Sequence, residues 1–246
     1  MPFTLSRAVT GPVFRRTARL TDRTWLTPGY LRLRLSGAQL RGFTSAGADD
    51  HIRLFLPLGT DGPHDGPSRE LTPSAWDSSV GWLDLELVVH PGGLASDWAV
   101  TAPLSSPVAV GGPRGSTVLD GTPDAWFLAG DETAIPAIRR FIAAMPATAV
   151  GRILIEVPDT EHEVDLAPPA GVQLDWVHRG TGTGHETQAL VAALDGIDAR
   201  QRPAGAVFGF VAAEQSVVRA GRALLHERWA LPPEQTIVKG YWKLPE

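Results

Sequence analysis

Near residue 117 the chain changes its hydrophobic period, and that change limits the folds open to it. Upstream, TARLTDRTWLTP (17–28), YLRLRLSG (30–37), HIRLFLPL (51–58), WLDLELVVH (82–90) and SPVAVGGP (106–113) mix strict alternation with short apolar runs, separated by clusters of Gly, Pro, Asp and Ser. This is the pattern of short strands in a small antiparallel barrel. The stretch GTDGPHDGPS (59–68) between two of them predicts an exposed loop. Downstream, the apolar run AWFLAG (125–130) is followed by a helical stripe of Ile135, Ile138, Phe141 and Ile142. Strand-like RILIEVPD, VQLDWVHR and AVFGFVAA then alternate with helix-like HETQALVAALDGI and EQSVVRAGRALLHERWA. Such alternation predicts a parallel sheet covered on both faces. The expected organisation is therefore a β-barrel over residues 1–118 and an α/β domain over 124–246.

Composition removes several function classes. Acids outnumber bases 27 to 22, for a net charge of -5, whereas a general nucleic-acid binder needs a clustered basic surface. The chain has no cysteine, which excludes thiolate metal sites, iron–sulfur ligation and thiol catalysis, so any redox chemistry must come from a bound cofactor. The first twenty residues carry no apolar signal core, and no run approaches the ~18 apolar residues that cross a bilayer. The expectation is a soluble, cytoplasmic protein that binds neither membrane nor nucleic acid. The only lysines, Lys239 and Lys243, both lie near the C-terminus.

In an open parallel sheet, ligands bind beyond the carboxyl ends of the strands, where helix N-termini present N–H groups. LAGDETAIPA (128–137) has that form: Gly130 permits close approach, Thr133 is a candidate cap, and Pro136 is tolerated at a helix start. No GxGxxG fingerprint is present. Taken singly, His51 and His90 read as strand residues satisfied by backbone, Trp98 and Trp242 as core aromatics, and Arg53 as a solvated face.

Taken in order, ADDHIRLFLP (48–57), LDLELVVHPGGLASDWA (83–99), VGGPRGS (110–116), FLAGDETAIPAI (127–138), VHRG (177–180) and KGYWK (239–243) resemble the siderophore-interacting protein family of flavin-dependent ferric-siderophore reductases. The resemblance implies a ferredoxin-reductase-like layout: an FAD-binding barrel followed by an NAD(P)H-binding domain. It further implies Arg69 at a flavin phosphate, Thr72 at the isoalloxazine edge, and His90, Leu94, Ala95, Ser96 and Trp98 along the diphosphate and adenosine. His51 and Trp242 join that cofactor set. Asp131, Glu132 and Thr133 would meet flavin and nicotinamide, with Thr72, Asp131 and Thr133 as the candidate catalytic residues. Arg179 is a candidate for a 2′-phosphate, and Arg53, Lys239 and Lys243 for the mouth that receives an anionic ferric chelate.

The chain departs from the family at the flavin seat. An ungapped match places Leu71 on the Tyr of the family's Arg-x-Tyr-Thr-x-Arg motif and Ser74 on its second Arg, with Pro73, which has no N–H, between them. Loss of an aromatic contact and a charged hydrogen bond weakens flavin binding by roughly 2 to 4.5 kcal/mol if nothing compensates. Ala213 replaces a family Gly, adding a methyl where nicotinamide would approach. Two function classes follow. One is an NAD(P)H-dependent ferric-siderophore reductase with FAD held weakly. The other is the same scaffold with flavin lost, its cleft relined by Trp76 and Trp82 for binding a small molecule or for non-redox catalysis. The sequence specifies neither the chelate, nor NADH against NADPH, nor an oligomeric state.

Overall fold

A computed structural model describes residues 3–9, 14–57, 66–180 and 188–244. The loop expected at 59–68 and the start of the helix expected at 185 lie partly outside these residues. The chain divides into two compact units, Arg7–Val118 and Leu119–Glu246 with Met1–Ser6. Residues 3–6, expected in the barrel, group instead with the α/β unit. Phe3, 2% exposed, packs edge-on against Phe208 of that unit with ring centroids 6.1 Å apart.

The first unit is built on strands β2 (Arg15–Thr27), β3 (Tyr30–Ser36), β4 (Ile52–Phe55), β5 (Ser68–Leu71), β6 (Pro73–Asp77), β7 (Trp82–Val88) and β8 (Pro107–Gly111). They form one seven-stranded antiparallel sheet in the order β5-β4-β8-β2-β3-β7-β6. Alternation fixes its faces: Leu31, Leu33 and Leu35 of β3 are fully buried in the core beside Leu83 and Leu85 of β7. The edge strands β5 and β6 are separated in sequence by Thr72 alone, so the two margins meet at one residue and the sheet curls on itself. Pro73 is tolerated because β6 is an edge strand. The short helix α1 (Leu94–Thr101) packs Ala99, with the partly buried Ala95 and Trp98, against the barrel core. Strands β1 (Phe3–Val9) and β9 (Gly115–Gly121) pair as a separate two-stranded sheet.

The second unit is a parallel sheet in the order β12-β11-β10-β13-β14, from β10 (Ala125–Asp131), β11 (Val150–Val157), β12 (Gly171–His178), β13 (Val207–Glu214) and β14 (Thr236–Trp242). Central β10 and β13 are buried along their whole length, which explains their unbroken apolar runs. Helices α2 (Ile135–Ala144), α3 (Gln188–Asp195) and α4 (Val217–Arg222) follow β10, β12 and β13. The KGYWK segment ends β14, a strand that the sequence pattern did not single out.

Candidate functional site

In the barrel, β7 runs through Val89 and His90 into a tight turn that opens α1. The turn is close-packed at Gly93: a Cβ there would come within 2.5 Å of the His90 ring and 2.8 Å of Ser96 Oγ, so either side chain would have to move. Ser96 Oγ accepts from the His90 backbone N–H at 3.1 Å and donates to the Val88 carbonyl at 3.4 Å, which moors the first turn of α1 to the end of β7. No side chain caps α1. Its first-turn N–H groups, at Leu94, Ala95 and Ser96, therefore stand without a capping acceptor, and a helix start of that kind suits a phosphate. His90 and Leu94 are exposed.

The other expected flavin residues occupy the corner where the sheet margins meet. Arg69 is exposed and donates from Nη1 to the Ser68 carbonyl at 2.9 Å. Thr72 is 7% exposed. Leu71 sits directly opposite Ile52 of β4 and packs against the barrel core. Ser74 is buried and donates to Glu86 Oε1 at 2.9 Å. The uncapped α1 and the glycine turn fit the diphosphate half of a dinucleotide. For the ring half, Thr72 is retained, whereas position 73 offers no N–H and Leu71, partly buried, offers no aromatic ring.

Trp76 and Trp82, the tryptophans considered for a relined cleft, each have a partner within the barrel. Trp76 stacks edge-on to Phe43 at 5.7 Å, and Trp82 lies beneath the Arg34 guanidinium at 4.2 Å. Arg53 pairs with Glu70 on β5 at 2.9 Å, both half-exposed, while His51 is exposed just before β4.

In the α/β unit a buried acidic cluster lies at the carboxyl ends of the strands. Asp131 is 2% exposed and accepts four donors: the Thr133 N–H (2.9 Å) and hydroxyl at Oδ1, and the Glu214 N–H (3.1 Å) and Trp242 Nε1 (2.7 Å) at Oδ2. Burial nonetheless pushes its carboxyl up to about 6. The cap of the turn before α2 is thus Asp131, and not Thr133, whose hydroxyl is spent on that carboxylate. Glu132 takes both arms of Arg179, at 2.7 and 2.8 Å. Arg179, expected at a 2′-phosphate, holds this fork with only 11% of its side chain exposed. Trp242, expected to be core or to meet cofactor, ties β14 to β10.

Two carboxylates of this cluster escaped the sequence reading. Glu156 of β11, fully buried, accepts the Leu190 N–H of α3 at 2.6 Å, and its Oε1 lies 3.7 Å from Arg179 Nη1. Burial raises it to about 7. Glu214 accepts the Ser216 N–H just before α4 at 2.6 Å. The signal was an acidic residue inside an otherwise apolar strand, as in ILIEV and FVAAE, where both faces are covered. Gly130 and Ala213 also differ from expectation. A Cβ on Gly130 would meet Ala134 Cβ at 2.4 Å and the Ala212 carbonyl at 2.6 Å, so the close approach there is made by the chain itself. Ala213 is fully buried in the apolar core of the unit, so its methyl is a packing group. Lys239 and Lys243 are exposed on and just after β14.

Comparison with known proteins accords with this geometry. Residues 123–245 match the siderophore-interacting protein family, and residues 19–117 match the siderophore-interacting FAD-binding domain. The chain is 30% identical to the NADPH-dependent ferric-chelate reductase of Escherichia coli K12, over 88% of each protein. It is 28% identical to the ferric vibriobactin reductase ViuB of Vibrio cholerae, over 94% of this chain and 90% of that one. A siderophore utilization protein from T. fusca superposes with a TM-score of 0.87 at 28% identity, covering 98% of this chain and 97% of that one. The fold extends to the Amycolatopsis cytochrome P450 reductase GcoB, with a TM-score of 0.69 at 20% identity over 96% of this chain and 72% of that one.

Proposed function

This chain belongs to the siderophore-interacting protein family, and from that premise we propose that it is a flavin-dependent NAD(P)H oxidoreductase that reduces ferric siderophores. The observation that carries the reading is the FAD-type barrel whose α1 starts uncapped over a glycine turn, joined in one chain to a parallel-sheet domain of the matching family. FAD would be held by the N–H groups of Leu94, Ala95 and Ser96 and by Arg69 at its diphosphate, and by Thr72 at its ring. When bound, it supplies the conversion of a two-electron hydride donor into single-electron delivery to Fe(III). Fe(III) is a hard cation gripped by anionic oxygens, and reduction to Fe(II) weakens that grip, so iron leaves the chelate.

The protein's own residues need move no proton in this scheme. Asp131 fixes Thr133, the Glu214 backbone and Trp242 at the strand ends, and the exposed Lys239 and Lys243 offer positive charge to an anionic chelate. The lack of an aromatic at Leu71 and the missing N–H at Pro73 favour a flavin held loosely and exchanged with the medium. Cytoplasmic location, where NAD(P)H is supplied, belongs to the same reading; among the described residues no helix is long and apolar enough to cross a membrane.

The test is reduction of a ferric catecholate or hydroxamate by NAD(P)H with added FAD, read by an Fe(II)-specific chromophoric chelator. We expect activity that saturates with FAD. Lys239→Gln with Lys243→Gln should raise KM for the chelate several-fold while leaving FAD affinity intact, with the difference shrinking at high ionic strength. FAD-independent rates, or none with any chelate, would overturn the reading.

A further inference from the structure

On the outer face of the barrel, β3 and β7 carry a buried polar cluster that the scheme above does not use. The Glu86 side chain is 0% exposed, yet it collects the Tyr30 hydroxyl at 3.0 Å, Arg32 Nε and Nη2 at 3.1 and 2.7 Å, and Ser74 Oγ at 2.9 Å. The cost of burying a carboxylate is repaid only by good ion-pair geometry and additional hydrogen bonds, and Glu86 has both. What this geometry accomplishes is to fix Arg32. Its Nε and Nη2 both meet Glu86 Oε1, its side chain is 33% exposed, and its Nη1 makes no hydrogen bond among the described residues. Arg34, one rung away, is different: its Nε and Nη2 each take one oxygen of Asp84, and its guanidinium lies flat over Trp82.

Position gives the oriented guanidinium a use. Arg32 lies opposite Glu86 and diagonal to Val88, whose carbonyl receives Ser96 from the first turn of α1. Diagonal neighbours in an antiparallel pair are about 7 to 8 Å apart, within reach of an arginine side chain. On its other side, Ser74 meets the same Glu86 oxygen two residues beyond Thr72. Arg32 therefore lies on one flank of β7 with Ser74 on the other, and β7 leads from their shared Glu86 to the uncapped start of α1. We propose that Arg32 is a phosphate-binding residue of the flavin seat, and that Glu86, supported by Ser74 and Tyr30, is the positioning residue that aims it. The inference rests on the flavin reading above and adds a cation to that seat.

The experiment compares binding of FAD, FMN and riboflavin to the apo protein by fluorescence quenching, because riboflavin has the ring and no phosphate. Arg32→Gln would strand the buried Glu86 charge, so the working variant is Arg32→Gln with Glu86→Gln, its fold checked by circular dichroism. FAD and FMN should bind it about 10- to 100-fold more weakly, the range of a lost charged hydrogen bond, while riboflavin affinity stays within about twofold. The salt dependence of FAD binding should become shallower in the same variant. Arg32→Lys, which keeps the charge and loses the fork, should fall between, and Arg34→Gln with Asp84→Asn, the matching double variant one rung away, should bind all three flavins as wild type does. Equal FAD affinity in wild type and double variant overturns the proposal, as does a parallel loss for riboflavin, which would make Arg32 a purely structural residue. Failure of wild type to bind any of the three flavins would instead sink the flavin reading itself, and the proposal with it.

Discussion

Leu71 occupies the place where the family motif carries an aromatic, and the structure gives it a different job. It lies opposite Ile52 across the β4–β5 pair and packs against the barrel core while remaining partly exposed, so it can give a flavin ring aliphatic contact but no aromatic stacking. A tyrosine there must keep its hydroxyl out of apolar surroundings and will turn its ring toward the margin of the sheet. Leu71→Tyr should therefore tighten FAD binding about two- to tenfold, the value of one aromatic contact, with a small loss of thermal stability from the vacated core. Quenching titrations of apo protein measure the first and melting curves the second. An affinity unchanged from wild type would mean that the ring does not pass over residue 71. The neighbouring departure has a visible counterpart: Ser74 and Arg32, from strands on either side of β7, both bond Glu86 Oε1.

Strand β11 shows what an element can carry beyond its ladder. Glu156 is set among Ile155 and Val157, faces Arg179, Glu132 and Asp131, and reaches the first turn of α3 through the Leu190 N–H. Its carboxyl and that of Asp131 both lie above their ordinary values of 4.5 and 3.8, at about 7 and about 6, with burial the main cause. A raised acid binds its proton more tightly in the native state, so the associated stability is fully present at low pH and is lost as pH rises through the folded value. Stability of the α/β unit should accordingly decline between about pH 4 and pH 7. Glu156→Gln keeps an acceptor for Leu190 and leaves Arg179 its fork on Glu132. It should remove the Glu156 share of that decline, making the variant more stable than wild type at pH 8 by up to roughly 3 kcal/mol and nearly equal at about pH 4. Melts at the two pH values decide it; a variant less stable at pH 8 would show that the Glu156 charge is needed by Arg179.

At the scale of the molecule, the two-unit layout and most strands were legible because period-2 and apolar-run patterns survive in single strands such as YLRLRLS and AWFLAGD. The helix α1 was not: eight residues with Gly before and a mixed face give too short a period to read, and its worth lies in an uncapped start that only coordinates display. Strands β5 and β6 escaped for a related reason, since each is a margin of four or five residues with no alternation to speak of. The site residues expected from sequence all sit on quoted motifs, whereas Glu86, Glu156 and Glu214 act through partners 12 or more residues distant or through the turn that follows them.

The corner at Thr72 also governs the order in which the barrel is built. Strands β5 and β6 are neighbours in the chain, yet five other strands lie between them across the sheet. Thr72 is fixed only after that path of non-local pairings is complete, so its burial comes late, after the loop-closure entropy of the long-range pairs has been met. Thr72→Ala should then leave the refolding rate of the apo protein nearly unchanged and speed its unfolding by the full amount of the lost stability, a φ-value near zero in a chevron analysis. The residue proposed to meet the flavin ring would thus also be the latch that sets how long the empty barrel stays closed.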